Sequence, residues 1–422
     1  MLQCYGVDRT KTILIRGARQ LITLRGAQGA RRGPAQHELS IIHDGSVLIR
    51  DGVIEEVGPT RRVENLAGAR EAVEISAAGR VVMPGFVDCH THLIFPAPGA
   101  LDDQHAERSV RARTGKLLHA RAQGYLDAMA RHGTTTAEAK TSGSADVNLE
   151  FKLLRVLRDL RQAPLDLISS FYCRLPEPDE TSQKESEAIL ERVMTEILPR
   201  IRRRRLARFA DIAWGDRTSI DQYRRYLHAA GELGFGSRIH ADQPTADAAV
   251  MLAAEQNVVS IDHLEHATGA AVSLLAGSNT MATLLPCAGF RVGGRAAPAR
   301  ALIDAGVPLA LATNFNPQHT PALNMQMVVS LACMQMGLTA AEAIVATTIN
   351  GAHALGCAGR IGSLEPGKWA DILVLNISDY RELAYQFGMN LAWLTLKRGA
   401  CIYEEGTVAS RSAATVRPAV LA

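Results

Sequence analysis

The stretch VVMPGFVDCHTHLIF, residues 81–95, decides how this chain is read. An apolar, β-branched run ends at Asp88, and His90 and His92 follow on either side of Thr91. Side chains two apart in a strand point to the same face. Two imidazoles on one face at a strand end can chelate one cation, so the reading turns on what completes that site.

From residue 81 onward a short β-rich run, a turn and a longer helical segment recur. The strand-like runs are VVMPGFVDCH, TTTAEAK, LDLISSFY, ADIAWG, FGSRIHA, VVSIDHL, TMATLLP and PLALATNF. Helical segments such as SEAILERVMTEILPRIRRRRLARF and ADAAVMLAAEQN lie between them. Nearly continuous apolar runs suit parallel strands buried on both faces. Eight such units in a row predict an α/β fold, a (β/α)8 TIM barrel over residues 84–359. The flanks differ. SVLIRDGVIEEVG (46–58) and GSLEPGKWADILVLN (362–376) each read as two short strands around an Asp-Gly or Pro-Gly turn. Neither builds a core alone, so residues 1–83 and 360–422 are expected to form one small β-sandwich from both chain ends.

Composition narrows the function. At 422 residues, 47% hydrophobic and 21% charged, the chain reads as an ordinary globular enzyme. A formal net charge of +3 is too small to imply a polyanionic partner such as nucleic acid. Seven scattered cysteines with no CxxC pair suggest reduced thiols in a cytoplasmic protein. No apolar run approaches the roughly 20 residues that span a bilayer. The basic run RIRRRR (200–205) reads as the solvated face of a long helix. A small-molecule substrate is the expected partner, with a homodimer as the assembly this reading allows.

Barrel enzymes carry their chemistry at the C-terminal strand ends. There the strand assignments place His90 and His92 (first strand), His240 (fifth), His263 (sixth) and Asn314 (eighth). Neutral imidazoles suit one divalent ion, Zn or Fe. Such an ion lowers the pKa of bound water from 15.7 towards about 7.

These segments carry a resemblance. PGFVDCHTH, followed by a barrel and closed by GSLEPGKWADILVL, resembles the metal-dependent amidohydrolase superfamily. GTTTAEAKTSG, HADQ, DHLE, LLPCAGF and NFNP resemble, in the same order, segments of its imidazolonepropionase branch, which opens the ring of imidazolone propionate. The likeness covers nearly the whole chain. It implies hydrolysis of a non-peptide C–N bond in a cyclic amide, with His90, His92 and His240 as metal ligands. It makes His263 the histidine beside the metal, and Gln243 and Asn316 substrate contacts.

The chain also departs from that pattern. Asn314 stands where the branch has a metal-binding aspartate, and Ser144 where it has a substrate-binding tyrosine. SSFYCRLP lacks the branch's histidine, FPAPGALDD lacks its arginine, and the segment from His92 to Thr134 is shorter. A neutral amide at position 314 approaches a cation but takes no proton. Asp242, Asp262 and Glu265 are the carboxylates placed to substitute, and Glu265 is taken as catalytic with His263 and Asn314. Lys140 reads as structural. Two readings therefore stand: a hydrolase diverged in its substrate, with weak turnover of imidazolone propionate, or a non-catalytic metal- or small-molecule-binding relative.

Overall fold

A computed structural model describes residues 12–26, 28–95, 103–161, 164–175, 183–215, 218–241 and 246–406. Eight parallel strands pair in sequence order: strand 1 (Phe86–Asp88), strand 2 (Thr134–Lys140), strand 3 (Asp166–Cys173), strand 4 (Phe209–Ala213), strand 5 (Gly236–Ala241), strand 6 (Ser260–His263), strand 7 (Met281–Leu284) and strand 8 (Leu309–Leu311). Strands 1 and 8 meet at the top, where Thr91 bridges Phe315 and the His92 amide donates to the Phe315 carbonyl at 2.7 Å. Asp88 ties the same seam, accepting from the Thr313 amide at 3.1 Å and from its hydroxyl at 2.6 Å. Burial raises the Asp88 carboxyl to about 7 against the pull of those bonds.

The run VVMPGFVDCH is not one barrel strand. Val81–Pro84 belongs to the other sheet and Phe86–Asp88 to the barrel. Gly85 is the joint. A Cβ there would lie 2.3 Å from the Thr135 side chain, so only glycine lets the chain pass from one sheet to the other so close to strand 2.

The second sheet is mixed and draws on both chain ends, in the order 400–404, 392–397, 372–375, 81–84, 13–22, 41–50, 53–59, with 73–76 also on 13–22. Its apolar faces share a core in which Ile15, Val47, Val82, Ile372 and Leu394 pack together. The expected pairing of the two ends is present as one hydrogen-bonded sheet. Two polar joints fix it to the barrel. Asp166, at the start of strand 3, receives both Arg398 (2.7 Å) and Lys397 (2.9 Å). Asn350 is fully buried; it accepts from the Arg31 amide (2.8 Å) and donates to the carbonyls of Arg31 (3.0 Å) and Leu309 (2.8 Å).

No helix among the described residues is long and apolar enough to cross a membrane. The helical run from Gln183 to Arg203 holds a π-turn at Val193–Ile197 immediately before Leu198 and Pro199. The wider turn fits the proline, which lacks an amide hydrogen and crowds the carbonyl four residues back.

The Asn350 joint gives a stability test. Asn350→Ala removes three buried hydrogen bonds and leaves backbone groups of Arg31 and Leu309 without partners, at a cost of about 2–4 kcal/mol. The urea midpoint should fall with the slope unchanged. An unaltered midpoint would show that these bonds do not hold the flank to the barrel.

Candidate metal centre and active site

Strand parity selects what enters the barrel. Glu138 and Lys140 on strand 2, Asp211 on strand 4, Arg238 and His240 on strand 5, and Ser260 and Asp262 on strand 6 turn inward at steps of two. Below the mouth these residues form a fully buried charge cluster. Lys140 meets Asp211, Glu138 at 3.1 Å and Asp262 at 3.4 Å. Arg238 meets Asp262 at 3.2 Å, Glu138 at 3.4 Å and the Ser260 hydroxyl at 2.9 Å. The two cations hold Asp262 well below the usual carboxylate range although burial pushes the other way. Lys140 is thereby fully engaged, as a structural lysine. Asp262 is not a free base either; it is locked beneath the site.

What Asp262 does is orient His90. The His90 Nδ1 donates to Asp262 Oδ2 at 2.7 Å, which fixes the tautomer and leaves Nε2 unprotonated. That Nε2 is buried and has no hydrogen-bond partner among the described residues. Burial first, then the charge of Lys140, depresses the His90 pKa; burial and His240 depress that of His92. Both rings are therefore neutral, the form a cation binds.

Four histidine rings meet at the mouth. His90 lies 5.4 Å from His92, 5.2 Å from His240 and 5.7 Å from His263, centroid to centroid. His240 lies 4.3 Å from His263 and 5.9 Å from His92. Donor atoms of His90, His240 and His263 all fall within 4.8 Å of one another, with His92 bordering that group. The set fits a divalent ion: converging imidazoles, those of His90 and His92 with depressed pKa, a buried nitrogen on His90, and a carboxylate fixing its ring.

His263 reaches the mouth against parity. It follows the inward Asp262, so a regular strand would turn it outward. Left-handed backbone at His263 (φ 83°) and Leu264 (φ 68°) swings it back. Successive non-glycine residues in that region are strained and persist only where the surroundings demand it. Its Nδ1 donates to Glu265 Oε1 at 3.2 Å, and Glu265 Oε2 is buried with no hydrogen-bond partner among the described residues. His263 and Glu265 thus form a dyad at the rim.

Asn314 lies three residues beyond strand 8, half-buried, with φ 53°. Its neighbours Thr313 and Phe315 are the ones bonded to Asp88 and His92, which places it beside the first-strand histidines. The other expected contacts divide. Asn316 Oδ1 accepts from the amides of Gln318 and His319, both at 3.0 Å, and so builds its own loop. Ser144 accepts from the Asp146 amide at 2.9 Å, and its own amide donates to Glu150. Both are turn-forming here. Gln243 and Asp242 lie outside the described residues.

Two residues of SSFYCRLP were missed by the sequence reading. Tyr172 turns inward on strand 3, its ring 5.8 Å from His92 and 5.4 Å from His240. Arg174, exposed just past the strand, carries its guanidinium 6.0 Å from the Tyr172 ring, and its charge is felt at His92. Inward parity on strand 3 was the signal available for Tyr172.

Comparison with known proteins places the chain in a family. Residues 81–398 match the Amidohydrolase family, and the chain belongs to that family of metal-dependent hydrolases. Within it, a protein named imidazolonepropionase from Solibacter usitatus is 41% identical over 408 residues, 91% of this chain and 97% of its own length. One of the same name from Geobacillus kaustophilus is 36% identical over 94% of this chain and 99% of its own. An adenosine deaminase from Xanthomonas campestris with bound zinc shares the fold at TM-score 0.66 and 20% identity, covering 92% of each chain. A triazine hydrolase variant does so at TM-score 0.71 and 17% identity, covering 93% of this chain and 95% of its own.

The metal test is direct. Purified His90→Ala should lose most of the divalent metal that the unaltered chain carries, measured by elemental analysis alongside circular dichroism. Equal stoichiometric occupancy in a folded variant would remove this centre.

Proposed function

We propose that the chain hydrolyses a ring C–N bond of a small cyclic amide of the imidazolone type, using one divalent ion, Zn or Fe. His90, His92 and His240 would hold the ion, with Asn314 offering an amide oxygen and His263 standing near it. One observation carries this reading: buried histidines from strands 1, 5 and 6 converge at the barrel mouth, where donor atoms of His90, His240 and His263 lie within 4.8 Å of one another and the His92 ring borders them. The full-length likeness to proteins named imidazolonepropionase supports the substrate class.

When bound, the ion supplies Lewis acidity and activates water. The chain does the rest. Asp262 keeps His90 in its metal-binding tautomer. His263 points a ring nitrogen towards the reacting carbonyl, and Glu265 behind it takes up positive charge on that ring. Tyr172 walls the site beside His92 and His240. Arg174 at the rim pairs with an acidic tail on the substrate, the task of the arginine missing from FPAPGALDD. Asn314 supplies an oxygen and no base, so proton transfer depends on the His263–Glu265 pair and turnover is slow.

Two measurements follow. Turnover of imidazolone propionate by the unaltered chain should fall below the ordinary kcat/KM range of about 10⁴–10⁸ M⁻¹s⁻¹. Asn314→Asp should raise kcat by about 10²–10⁴-fold, the usual worth of general-base assistance. A drop in kcat for Asn314→Asp would mean that the pocket has re-formed around the amide. No turnover by either protein would favour the non-catalytic reading, of which Asn314 is the main support. Separately, Arg174→Ala should raise KM for the acid about tenfold with little change in kcat. For an analogue with an uncharged tail it should change neither. Equal effects on the two compounds would remove Arg174 from carboxylate recognition.

A further inference from the structure

The barrel face opposite the histidines carries a second constellation. At the N-terminal ends of strands 3 and 4, Arg161, Arg202, Arg203, Arg205 and Arg208 line a groove of about 780 Å³. They come from separate parts of the chain. Arg161 follows the helix Val147–Asp159, Arg202 and Arg203 close the helix Leu198–Arg203, and Arg208 immediately precedes strand 4.

The run RIRRRR is solvated as expected, residues 202–205 being exposed, but it is not one helix face, because the helix ends at Arg203. Arg200 and Arg204 turn to the ring of Phe151, with Cζ 4.6 and 5.8 Å from its centroid. Arg202, Arg203 and Arg205 turn into the groove. Arg204 and Arg205 lie past the helix end, and Arg205 takes left-handed backbone, φ 51°. A helical period would have kept the run on one cylinder; the turn at its end splits it.

Among the described residues none of the five lies within ion-pair distance of a carboxylate, and Asp166, which lines an adjoining pocket with Arg161 and Arg208, is taken up by Lys397 and Arg398. By contrast Arg158, Arg192, Arg224 and Arg225 each hold one at 2.5–3.3 Å. Arg161 and Arg208 are steadied by backbone carbonyls instead. Arg161 donates to Arg205 at 2.6 Å and to Leu206 at 3.2 Å, and Arg208 donates to Gly356 at 2.7 Å. The lining also includes Ser169, 2% exposed, whose buried hydroxyl has no hydrogen-bond partner among the described residues.

We propose that this groove binds a small anion carrying two or more phosphate groups. Guanidinium groups match phosphate oxygens in pairs, and several converging cations favour a multivalent anion over a single charge. The groove is of small-molecule size. Among the described residues its lining contains no aromatic side chain on which the bases of a single strand could stack. Because it opens on the far side of the barrel, an occupant leaves the catalytic mouth accessible.

Inorganic triphosphate is the probe, titrated calorimetrically into the full chain at physiological salt. One saturable site per chain is expected. The variant Arg202→Ala/Arg203→Ala/Arg205→Ala should weaken it at least about 30-fold, given the worth of hydrogen bonds to charged groups. Arg200→Ala/Arg204→Ala, on the Phe151 side, should stay within about twofold of wild type although it also removes positive charge. If the triple variant does not fold, Arg205→Ala alone should weaken binding at least about threefold. No saturable binding would overturn the proposal. So would equal loss in the groove and Phe151-side variants, which would reflect net charge alone, or tighter binding of a single-stranded oligonucleotide than of triphosphate.

Discussion

Asp262 is the residue on which the rest of the site depends. One carboxylate accepts from Arg238, Lys140, Ser260 and His90, all buried. Removing one partner from a buried ion pair typically costs 3–5 kcal/mol, because the charge left behind has no water to turn to. The cluster therefore holds its geometry stiffly, and His90 inherits that stiffness. A metal-binding imidazole gains basicity and a fixed tautomer from such a carboxylate. Glu138 and Asp211 complete the cluster by sharing the two cations, so that strands 2, 4, 5 and 6 are cross-linked beneath the mouth.

Above this stiff floor the site is finished by backbone that leaves the regular strand. His263 and Leu264 take left-handed conformations, and so does Asn314. In each case a side chain gains a direction that strand parity would deny it or that a loop alone would leave undefined. Such strain is tolerated because neighbouring bonds over-determine the chain: His263 to Glu265, and the residues around Asn314 to Asp88 and His92.

The two ends of the barrel thus differ in kind. The C-terminal mouth gathers imidazoles over a buried cluster of two cations and three carboxylates, an arrangement for a cation and a polar reaction. The N-terminal face gathers arginines that, among the described residues, hold no carboxylate within ion-pair distance. Both lie on the same barrel, and each end owes its character to a few residues at strand or helix termini rather than to the fold.

The sequence by itself determined the barrel, the composite sheet from both chain ends, and the strand-end histidines. Local periodicity and the HxH, HADQ and DHLE segments are short-range signals that survive without tertiary information. It did not show that VVMPGFVDCH is shared between two sheets, because the switch at Gly85 depends on the approach of Thr135, 50 residues away. Nor could it show that Asp262 serves His90 rather than water, that Tyr172 walls the site, or that the basic run divides between Phe151 and a groove. Each of these is set by contacts between residues far apart in sequence. Only the closed barrel, which brings strands 1, 3, 5 and 6 to one axis, decides which polar groups meet and which of them remain available for chemistry.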